Sequence, residues 1–483
     1  MKRALITMLL LLLVLAGVML ARTLSLEPLE RSTGPAPDLA LDSRRMAKRL
    51  GRALQIPSIA EQEPSPLGRA RIERMMDFLV EEYPPLMAQL EFERQDDGVV
   101  FRWRGTQPSL APLLLLAHLD VVPVDAATED DWIHPPFSGT IAGGAVWGRG
   151  ALDDKSSALA MLEAIETLIG RGQRPRRSVI VALGLDEEIG GNRGAKSIAA
   201  RFAEEGLEPY LVLDEGLAIL EGIIPGVAAS VAAVGIAEKG YMTLELSVAA
   251  KGGHASMPDA QTSIGILAAA IEALEASPFP ARLDGAGETF LATLAPEMPF
   301  GPRLLAANTW IAAPLLAHEL TKQPETAALL RTTLAATTFS GGVAANVLPE
   351  RSSATINLRI HPRDTLAGVL ERVSEVVDDP RIAIATLAEA SEPTGLSPVD
   401  GEAFAFLAET IRAAYPGVVV APSLVLGATD SRHYAALTPN IYRFYGIRLT
   451  SDDLARIHGV NERILITQYV ELIGFYLRLI EDA

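Results

Sequence analysis

The chain has 483 residues, which predicts two or three domains, and its hydrophobic content of 49% is enough for large packed cores. Its 60 acidic residues against 42 Lys and Arg give a net charge of -18, which argues against nucleic acid as a partner because phosphate binding needs clustered cations. The absence of cysteine excludes disulfides, a thiolate zinc site and a cysteine nucleophile.

The first predicted element is a membrane-targeting segment, residues 1–22. Lys2 and Arg3 precede an apolar run from Ala4 to Ala21, which has the pattern of a signal peptide and nearly the length of a spanning helix. An uncleaved anchor and a cleaved signal both stay open. Because the positive charges come first, the rest of the chain is expected outside the cytoplasm, either membrane-anchored or secreted/periplasmic. Residues 23–41, with prolines and mixed charge, are interpreted as a tether.

Strand-like and helix-like segments alternate over residues 42–237, and the apolar spacing from Ser156 to Arg171 predicts a helix. This pattern predicts an α/β fold, with a mostly parallel sheet covered by helices. Residues 238–392 instead follow a strand-helix-strand-strand-helix-strand order, which predicts an inserted α+β domain of ferredoxin-like plan with extra helices from about Pro299 to Thr338. Residues 393–483 resume the first pattern, so the first domain is expected to be discontinuous. The elements predicted for the insert are strands Tyr241–Val248, Ser353–Ile360 and Ile382–Ala385, and helices Ser263–Ala276 and Thr365–Val377.

Acidic residues and histidines follow several of the apolar runs. Because ligands collect at the carboxyl ends of parallel strands, these side chains are expected to meet. Carboxylates and imidazoles without thiolates suit hard or borderline divalent metals. Taken singly, each group is also compatible with a structural pair or a solvated turn, but together they predict a two-metal hydrolase site. The residues concerned are His118, Asp120, Asp153, Asp154, Glu187, Glu188, Asp214 and His458.

From about Asp42 to its C-terminus the chain resembles the M20 family of metallopeptidases. Within that family it is most similar to the branch of carboxypeptidase S and the secreted N-acyl-amino-acid hydrolases. The motifs that carry the resemblance are His118-Leu119-Asp120, Gly148 to Lys155, Asp186-Glu187-Glu188, Leu213 to Gly216, Gly252 to Ser256, Asn346 to Pro349, Gly427 to Arg432 and Arg456 to Glu462.

The resemblance implies two zinc ions, and manganese or cobalt would suit the same nitrogen and oxygen ligands. It implies that Glu187 is the general base, that Asp120 orients His118, and that the peptide after Asp153 is cis. The implied metal ligands are His118 and Asp214 for one ion, Glu188 and His458 for the other, and Asp153 for both.

The resemblance also implies that the inserted domain is a lid, in which His254 stabilises the oxyanion. Arg359 is the first candidate for binding a substrate carboxylate, because its guanidinium matches it bidentately, and Asn346 and Arg432 are second candidates. The expected reaction is cleavage of the amide next to a terminal free carboxylate, in a short peptide or an N-acyl amino acid. The alternatives are a non-catalytic membrane-tethered peptide-binding protein and a zinc deacylase of a small metabolite. A homodimer formed through the lid and a monomer both stay open.

Overall fold

The computed structural model describes residues 1–34, 40–387 and 390–483. The helices are α1 Lys2–Leu24, α2 Ser43–Leu54, α3 Pro66–Glu82, α4 Pro84–Gln89, α5 Lys155–Gly170, α6 Ala195–Glu204, α7 Ser263–Ala276, α8 Gly285–Leu294, α9 Phe300–Ala306, α10 Thr309–Leu320, α11 Pro324–Ala328, α12 Leu366–Val377, α13 Glu402–Ala414, α14 Ser451–Leu454 and α15 Ile466–Asp482. The strands are β1 Glu91–Gln95, β2 Gly98–Trp103, β3 Leu113–His118, β4 Thr140–Ala142, β5 Ala145–Trp147, β6 Val179–Gly184, β7 Leu211–Leu220, β8 Val231–Glu238, β9 Gly240–Ala249, β10 Gly253–His254, β11 Thr333–Gly341, β12 Val347–Leu348, β13 Arg351–Ile360, β14 Ile382–Thr386, β15 Val419–Val425, β16 Ile441–Leu449 and β17 Arg463–Leu465.

The large sheet has the strand order β1-β2-β6-β3-β7-β16-β8-β15. Its centre is parallel, because β3 pairs in parallel with β6 and β7, and β16 pairs in parallel with β7. Antiparallel pairs join β1 to β2 and β2 to β6 at one edge. The carboxyl ends of β3 and β6 therefore lie together beside the middle of β7, and the site is built there.

Helices cover both faces of this sheet, and β3 shows why its sequence is continuously apolar. Leu113 and Leu115 belong to a core that includes α5 and α15, whereas Leu114 and Leu116 belong to a core that includes α6. Successive side chains of a strand point to opposite faces, so a strand buried on both faces needs apolar residues at every position. The predicted α/β fold with a mostly parallel, helix-covered sheet is confirmed.

A second, four-stranded antiparallel sheet has the order β11-β13-β9-β14. One of its faces shares a hydrophobic core with α7 and α12, which gives the ferredoxin-like plan that the sequence indicated. The chain enters this sheet directly after β8 and returns to the large sheet at β15. The exact domain boundaries stay an interpretation of this pattern.

The extra helices of the insert differ in extent from the prediction. They run from α8, at Gly285, to α11, which ends at Ala328, whereas Thr338 lies in β11 and pairs with β13. Pairing with a neighbouring strand decides the structure of this Thr- and Ala-rich segment, which has no strong local preference of its own.

Helix α1 is long and apolar enough to cross a membrane. Its most apolar stretch has a mean hydropathy of 2.9, and none of that stretch is buried. The segment after α1 packs against the rest of the protein, because Leu26 and Leu29 contact a hydrophobic cluster that includes residues of α8 and β15. Gly417 N also donates a hydrogen bond to Ser32 O at 2.9 Å. Residues 35–39 of the predicted tether, and 388–389 of the predicted insert, lie outside the described residues.

Candidate metal centre

His118, the last residue of β3, is 1% exposed and held from one side. Its Nδ1 lies 3.1 Å from the backbone oxygen of Asp120 and 3.4 Å from Asp120 Oδ1. Its Nε2 lies 2.9 Å from Asp153 Oδ1. Asp120 thus occupies one ring nitrogen and leaves the other directed into the site, as a metal-binding histidine requires.

Asp153 lies between two histidines that are far apart in the sequence. Its Oδ1 faces His118 Nε2 and its Oδ2 faces His458 Nε2, each at 2.9 Å. The peptide joining Asp153 to Asp154 is cis, which confirms the sequence prediction. A carboxylate with one oxygen toward each imidazole has the arrangement that a bridging ligand needs.

The acidic turn after β6 is fixed by the same aspartate that holds His118. Asp120 is fully buried, and its two carboxylate oxygens accept hydrogen bonds from the backbone N–H groups of Glu187 and Glu188, both at 3.1 Å. Glu188 Oε1 lies 3.3 Å from His458 Nε2. Asp120 therefore sets the position of His118 and of both glutamates at once.

Asp214, a ligand implied by the resemblance, has both carboxylate oxygens in hydrogen bonds to backbone N–H groups. Its Oδ1 accepts a hydrogen bond from Glu215 N at 2.9 Å, and its Oδ2 accepts one from Ser431 N at 2.7 Å. Glu215 instead places its Oε1 3.6 Å from His118 Nε2. Glu215 thus shares a cluster of possible ligand atoms with His118, and the assignment of Asp214 as a metal ligand stays a prediction.

An irregularity in β7 explains the approach of Glu215 to His118. Strand β16 pairs first with Asp214 and next with Leu217, so Glu215 and Gly216 have no partner in that pairing. Such a bulge redirects the side chains around it. Gly216 has a φ of 136°, a conformation that favours glycine. The glycine at this position is therefore the local signal of the bulge in the sequence.

The site holds more negative charge than its histidines can balance. Burial raises the pKa of Glu187 and Glu215 well above the usual range, and neighbouring acids raise both further. Burial also acts to raise the pKa of Asp153, but its hydrogen bonds to His118 and His458 outweigh this and lower it. Hydrogen bonds to its two carboxylate neighbours raise the pKa of His458 to about 10. A cation bound here would relieve the repulsion between the acids.

The donor set fits divalent cations. Among the described residues, two groups have ligand atoms that all lie within 4.8 Å of one another: His118 with Glu187 and Glu215, and His118 with Asp153 and Glu188. Nitrogen and oxygen donors without sulfur suit zinc and would also accept manganese or cobalt.

A buried ion pair that sequence reasoning missed joins the two distant parts of the site. Glu462 Oε1 accepts hydrogen bonds from Leu152 N at 2.7 Å and Asp153 N at 3.2 Å, and its Oε2 pairs with Arg149 Nη1 at 2.6 Å. Arg149 Nη2 donates to the His458 carbonyl at 3.0 Å. Both charged residues lie within the motifs quoted above, and their opposite signs beside two ligands were the available signal.

Two of the predicted carboxylate-binding residues, Arg359 and Arg432, lie near the acidic residues of the site. Arg359, half-buried on β13, has its guanidinium carbon 4.8 Å from the Tyr241 ring centroid. Burial lowers the pKa of Arg359, Tyr241 and Glu187 raise it, and Arg432 lowers it. Arg432 Nη2 donates to Gly190 O at 2.8 Å, next to the acidic turn.

His254 and Asn346 lie on the lid and are exposed. Strands β10 and β12 pair here, and Ala255 N donates to Asn346 O at 3.0 Å. His254 Nδ1 accepts a hydrogen bond from Ser256 N at 3.1 Å. His254 is not in either group of clustered ligand atoms that the described residues form.

Comparison with known proteins identifies the family of the chain. Residues 114–482 match the sequence profile of peptidase family M20/M25/M40. The chain is 38% identical over 450 residues to "Probable carboxypeptidase S-like 2" of Dictyostelium discoideum, with 92% of this chain and 86% of that protein covered. It is 42% identical over 388 residues to "N-fatty-acyl-amino acid synthase/hydrolase PM20D1" of Homo sapiens, covering 80% and 76%. The crystal structure of the M20 family metallo-carboxypeptidase Sso-CP2 of Sulfolobus solfataricus superposes with a TM-score of 0.66 at 20% identity, over 90% of this chain and 98% of that one. The chain therefore belongs to peptidase family M20/M25/M40 and is an enzyme of that family.

Proposed function

We propose that this enzyme hydrolyses the amide bond next to a terminal free carboxylate, in N-acyl amino acids or short peptides. The observation that carries the proposal is Asp153, which faces His118 and His458, together with Glu187, which shares a cluster of possible ligand atoms with His118. The relatives support the substrate class, since one is named a carboxypeptidase and another a hydrolase of N-fatty-acyl amino acids.

We infer that the site holds two divalent cations, with zinc as the first candidate. When bound, they would supply Lewis acidity that activates a water molecule and polarises the substrate carbonyl. Asp153 would contact both cations. The residues that would complete the site are His118 and Glu215 on one side, and Glu188 and His458 on the other. Glu215 replaces Asp214 in this assignment because its carboxylate is the one that approaches His118.

Glu187 is the proposed proton carrier. Its backbone is held by Asp120, and its carboxylate lies among the ligand atoms without being needed as a ligand in this assignment. A carboxylate oxygen of Glu187 takes a proton from the attacking water, whose oxygen bonds to the amide carbon. The same carboxylate oxygen of Glu187 then delivers that proton to the leaving nitrogen as the C–N bond breaks. The products are a carboxylic acid and a free amine.

Arg359 is the proposed partner of the substrate's terminal carboxylate. Packing against the Tyr241 ring holds the guanidinium in place, and the negative charge of Glu187 acts to raise the pKa of Arg359. A fixed fork of two N–H donors recognises a carboxylate better than a mobile ammonium does. Arg432 and Asn346 are second candidates for the same task.

His254 is proposed to stabilise the oxyanion from the lid of a neighbouring copy in a homodimer. It is exposed, and its ring is not in the clusters formed by the described residues of its own chain. Mixing inactive His254→Ala chains with inactive Glu187→Gln chains tests this. Recovered activity supports a shared site, whereas two variants that stay inactive when mixed refute it.

The experiment for the reaction uses the full chain in phosphatidylcholine nanodiscs, loaded with zinc. The substrates are N-acyl amino acids, short peptides, and the same compounds with amidated C-termini. We expect release of free amino acid only from the unblocked compounds, and its loss in Glu187→Gln. The matched control is Glu325→Gln, which changes an exposed glutamate on α11 and should retain full activity.

Each other result identifies an alternative. Turnover of the blocked compounds at the same rate would contradict carboxylate recognition and favour a deacylase of a small metabolite. No turnover with zinc occupancy confirmed would favour a non-catalytic peptide-binding protein.

We further propose that α1 stays in the mature chain as an anchor, with the enzyme outside the cytoplasm. Lys2 and Arg3 precede the apolar run, and Thr23 near its end is only 2% exposed because the protein covers it. Intact-mass measurement of the purified protein tests this, since a cleaved signal would remove α1.

A further inference from the structure

One face of α10 is apolar and exposed. Trp310, Ile311 and Leu315 have 55%, 41% and 51% of their surface accessible. Ile311 and Leu315 lie one turn apart on the same side of the helix, Trp310 lies beside them at its start, and the exposed polar residues His318 and Glu319 follow toward its C-terminal end. The opposite side carries Ala312 and Leu316, which are buried in the insert. A cluster of large exposed apolar side chains marks an interaction surface.

Side-chain hydrogen bonds tie this face to α1. Asn308, which precedes α10 and is fully buried, donates from Nδ2 to Met19 O at 3.1 Å and to Thr23 Oγ1 at 3.3 Å. Trp310 Nε1 in turn donates to Asn308 Oδ1 at 3.2 Å. Arg22 Nε adds a contact to Ala307 O at 3.4 Å. The start of α10 is therefore fixed against the last turns of α1.

The places on α1 that contact the start of α10 indicate the level of α10 relative to a bilayer. The 23 residues of α1 would span about 35 Å at about 1.5 Å per residue, slightly more than the roughly 30 Å hydrocarbon core. Met19 and Thr23 lie in its final turns, so a spanning α1 puts them near the boundary between hydrocarbon and headgroups. Tryptophan is enriched at that level because its ring is apolar and its N–H is polar.

We propose that the apolar face of α10 rests in the interfacial layer of the bilayer that α1 spans, as a second contact with lipid. The occupant is a lipid surface, because hydrogen bonds through Asn308 hold the start of this face against the last turns of α1, the proposed membrane anchor. The net charge of -18 favours zwitterionic lipid and insertion of apolar side chains over attraction to anionic headgroups. Leu291 of α8 packs against the cluster that holds the buried side of α10 and also against the cluster that includes β15, so the contact would also set the orientation of the large sheet.

The absence of native cysteine allows a direct test in the full chain. Leu315→Cys, labelled with an environment-sensitive fluorophore, is reconstituted in phosphatidylcholine nanodiscs containing doxyl-labelled lipid. The matched control is Leu67→Cys on α3, a leucine that is 59% exposed. We expect blue-shifted emission and quenching at least severalfold stronger at position 315 than at position 67. Equal quenching at the two positions would overturn the proposal.

Intrinsic fluorescence gives an independent readout. Trp103, Trp132 and Trp147 are each at most 8% exposed, so brominated lipid should quench mainly Trp310. Trp310→Phe should remove most of that quenching. If the face is shielded from an aqueous quencher but not reached by lipid quenchers, and Leu315→Cys chains form disulfide dimers, then a second copy covers it and the proposal is wrong.

The inference rests on the proposal that α1 is retained, and it is independent of the proposed reaction. Loss of α1, detected by intact mass, would remove its premise while leaving hydrolysis intact. Retained α1 with no lipid contact at position 315 would refute the inference alone.

Discussion

Glu462 offers the sharpest test of how the site is held together. Its carboxylate is fully buried and accepts hydrogen bonds from Leu152 N, Asp153 N and Arg149. Arg149, 3% exposed, ion-pairs with that carboxylate; without it, its partners among the described residues are the uncharged Trp132 ring and the carbonyls of His458 and Gly459. Leaving one member of a buried ion pair uncompensated costs about 3–5 kcal/mol. We expect Glu462→Ala to lower the free energy of unfolding by about that amount.

The same substitution should weaken metal binding, because Glu462 positions Asp153 directly and His458 through Arg149. Loss of a residue that orients metal ligands typically costs about 10- to 100-fold in affinity. Urea unfolding followed by circular dichroism measures the first effect, and zinc competition with a chelator measures the second. The matched control is Glu471→Ala, which removes a partly exposed carboxylate 3.5 Å from Arg448. It should change the free energy of unfolding by no more than about 1 kcal/mol and leave zinc affinity unchanged.

A double variant separates the two effects. Arg149→Met with Glu462→Leu leaves no unpaired buried charge, so it should recover part of the stability lost in Glu462→Ala. Zinc affinity should stay low, because the hydrogen bonds to the ligand backbone remain absent. The reasoning is refuted if Glu462→Ala unfolds at the same urea concentration as Glu471→Ala and binds zinc as tightly as the unmodified enzyme.

Three further predictions concern single residues. Asp120→Asn should weaken zinc affinity about 10- to 100-fold in chelator competition, because it replaces one of the two oxygens that accept the backbone N–H groups with an NH2 donor; unchanged affinity would contradict the positioning role. Arg359→Lys should raise KM for free-carboxylate substrates by about tenfold or more, with little effect on blocked ones. Arg351→Lys, on the same strand but 68% exposed, should change neither. Glu215→Gln should lower the bound zinc content measured by mass spectrometry, whereas Asp214→Asn should leave it unchanged; the opposite result would restore Asp214 as the ligand.

Local sequence pattern predicted the elements whose apolar residues form either a continuous run or a helical period. The continuous apolar run of β3 became a strand buried on both faces, and α7 runs from Ser263 to Ala276 as predicted. Both depend on side-chain spacing within one element, which the sequence displays directly. The acids and the histidine at the carboxyl ends of β3 and β6 were found for the same reason.

The approach of Glu215 to His118 could not be predicted in this way. Neighbouring residues on a strand point to opposite faces, so the choice between them depends on strand register. The register changes at the bulge between β7 and β16, which involves residues more than two hundred positions apart. The docking of Leu26 and Leu29 was missed for a similar reason, because two apolar residues among prolines and charges predict nothing until their long-range partners are known.

The two histidines of the site differ in a way that gives the Arg149–Glu462 pair its importance. His118 is 1% exposed and fixed by the end of a central strand, whereas the His458 side chain is 51% exposed on a loop. His458 also has a φ of 59°, a left-handed conformation that costs a non-glycine residue roughly 1–2 kcal/mol. Without a tertiary constraint the loop would leave that conformation, and the imidazole would move away from Asp153. The hydrogen bond from Arg149 to the His458 carbonyl supplies that constraint, so the exposed histidine can face solvent and still hold its place.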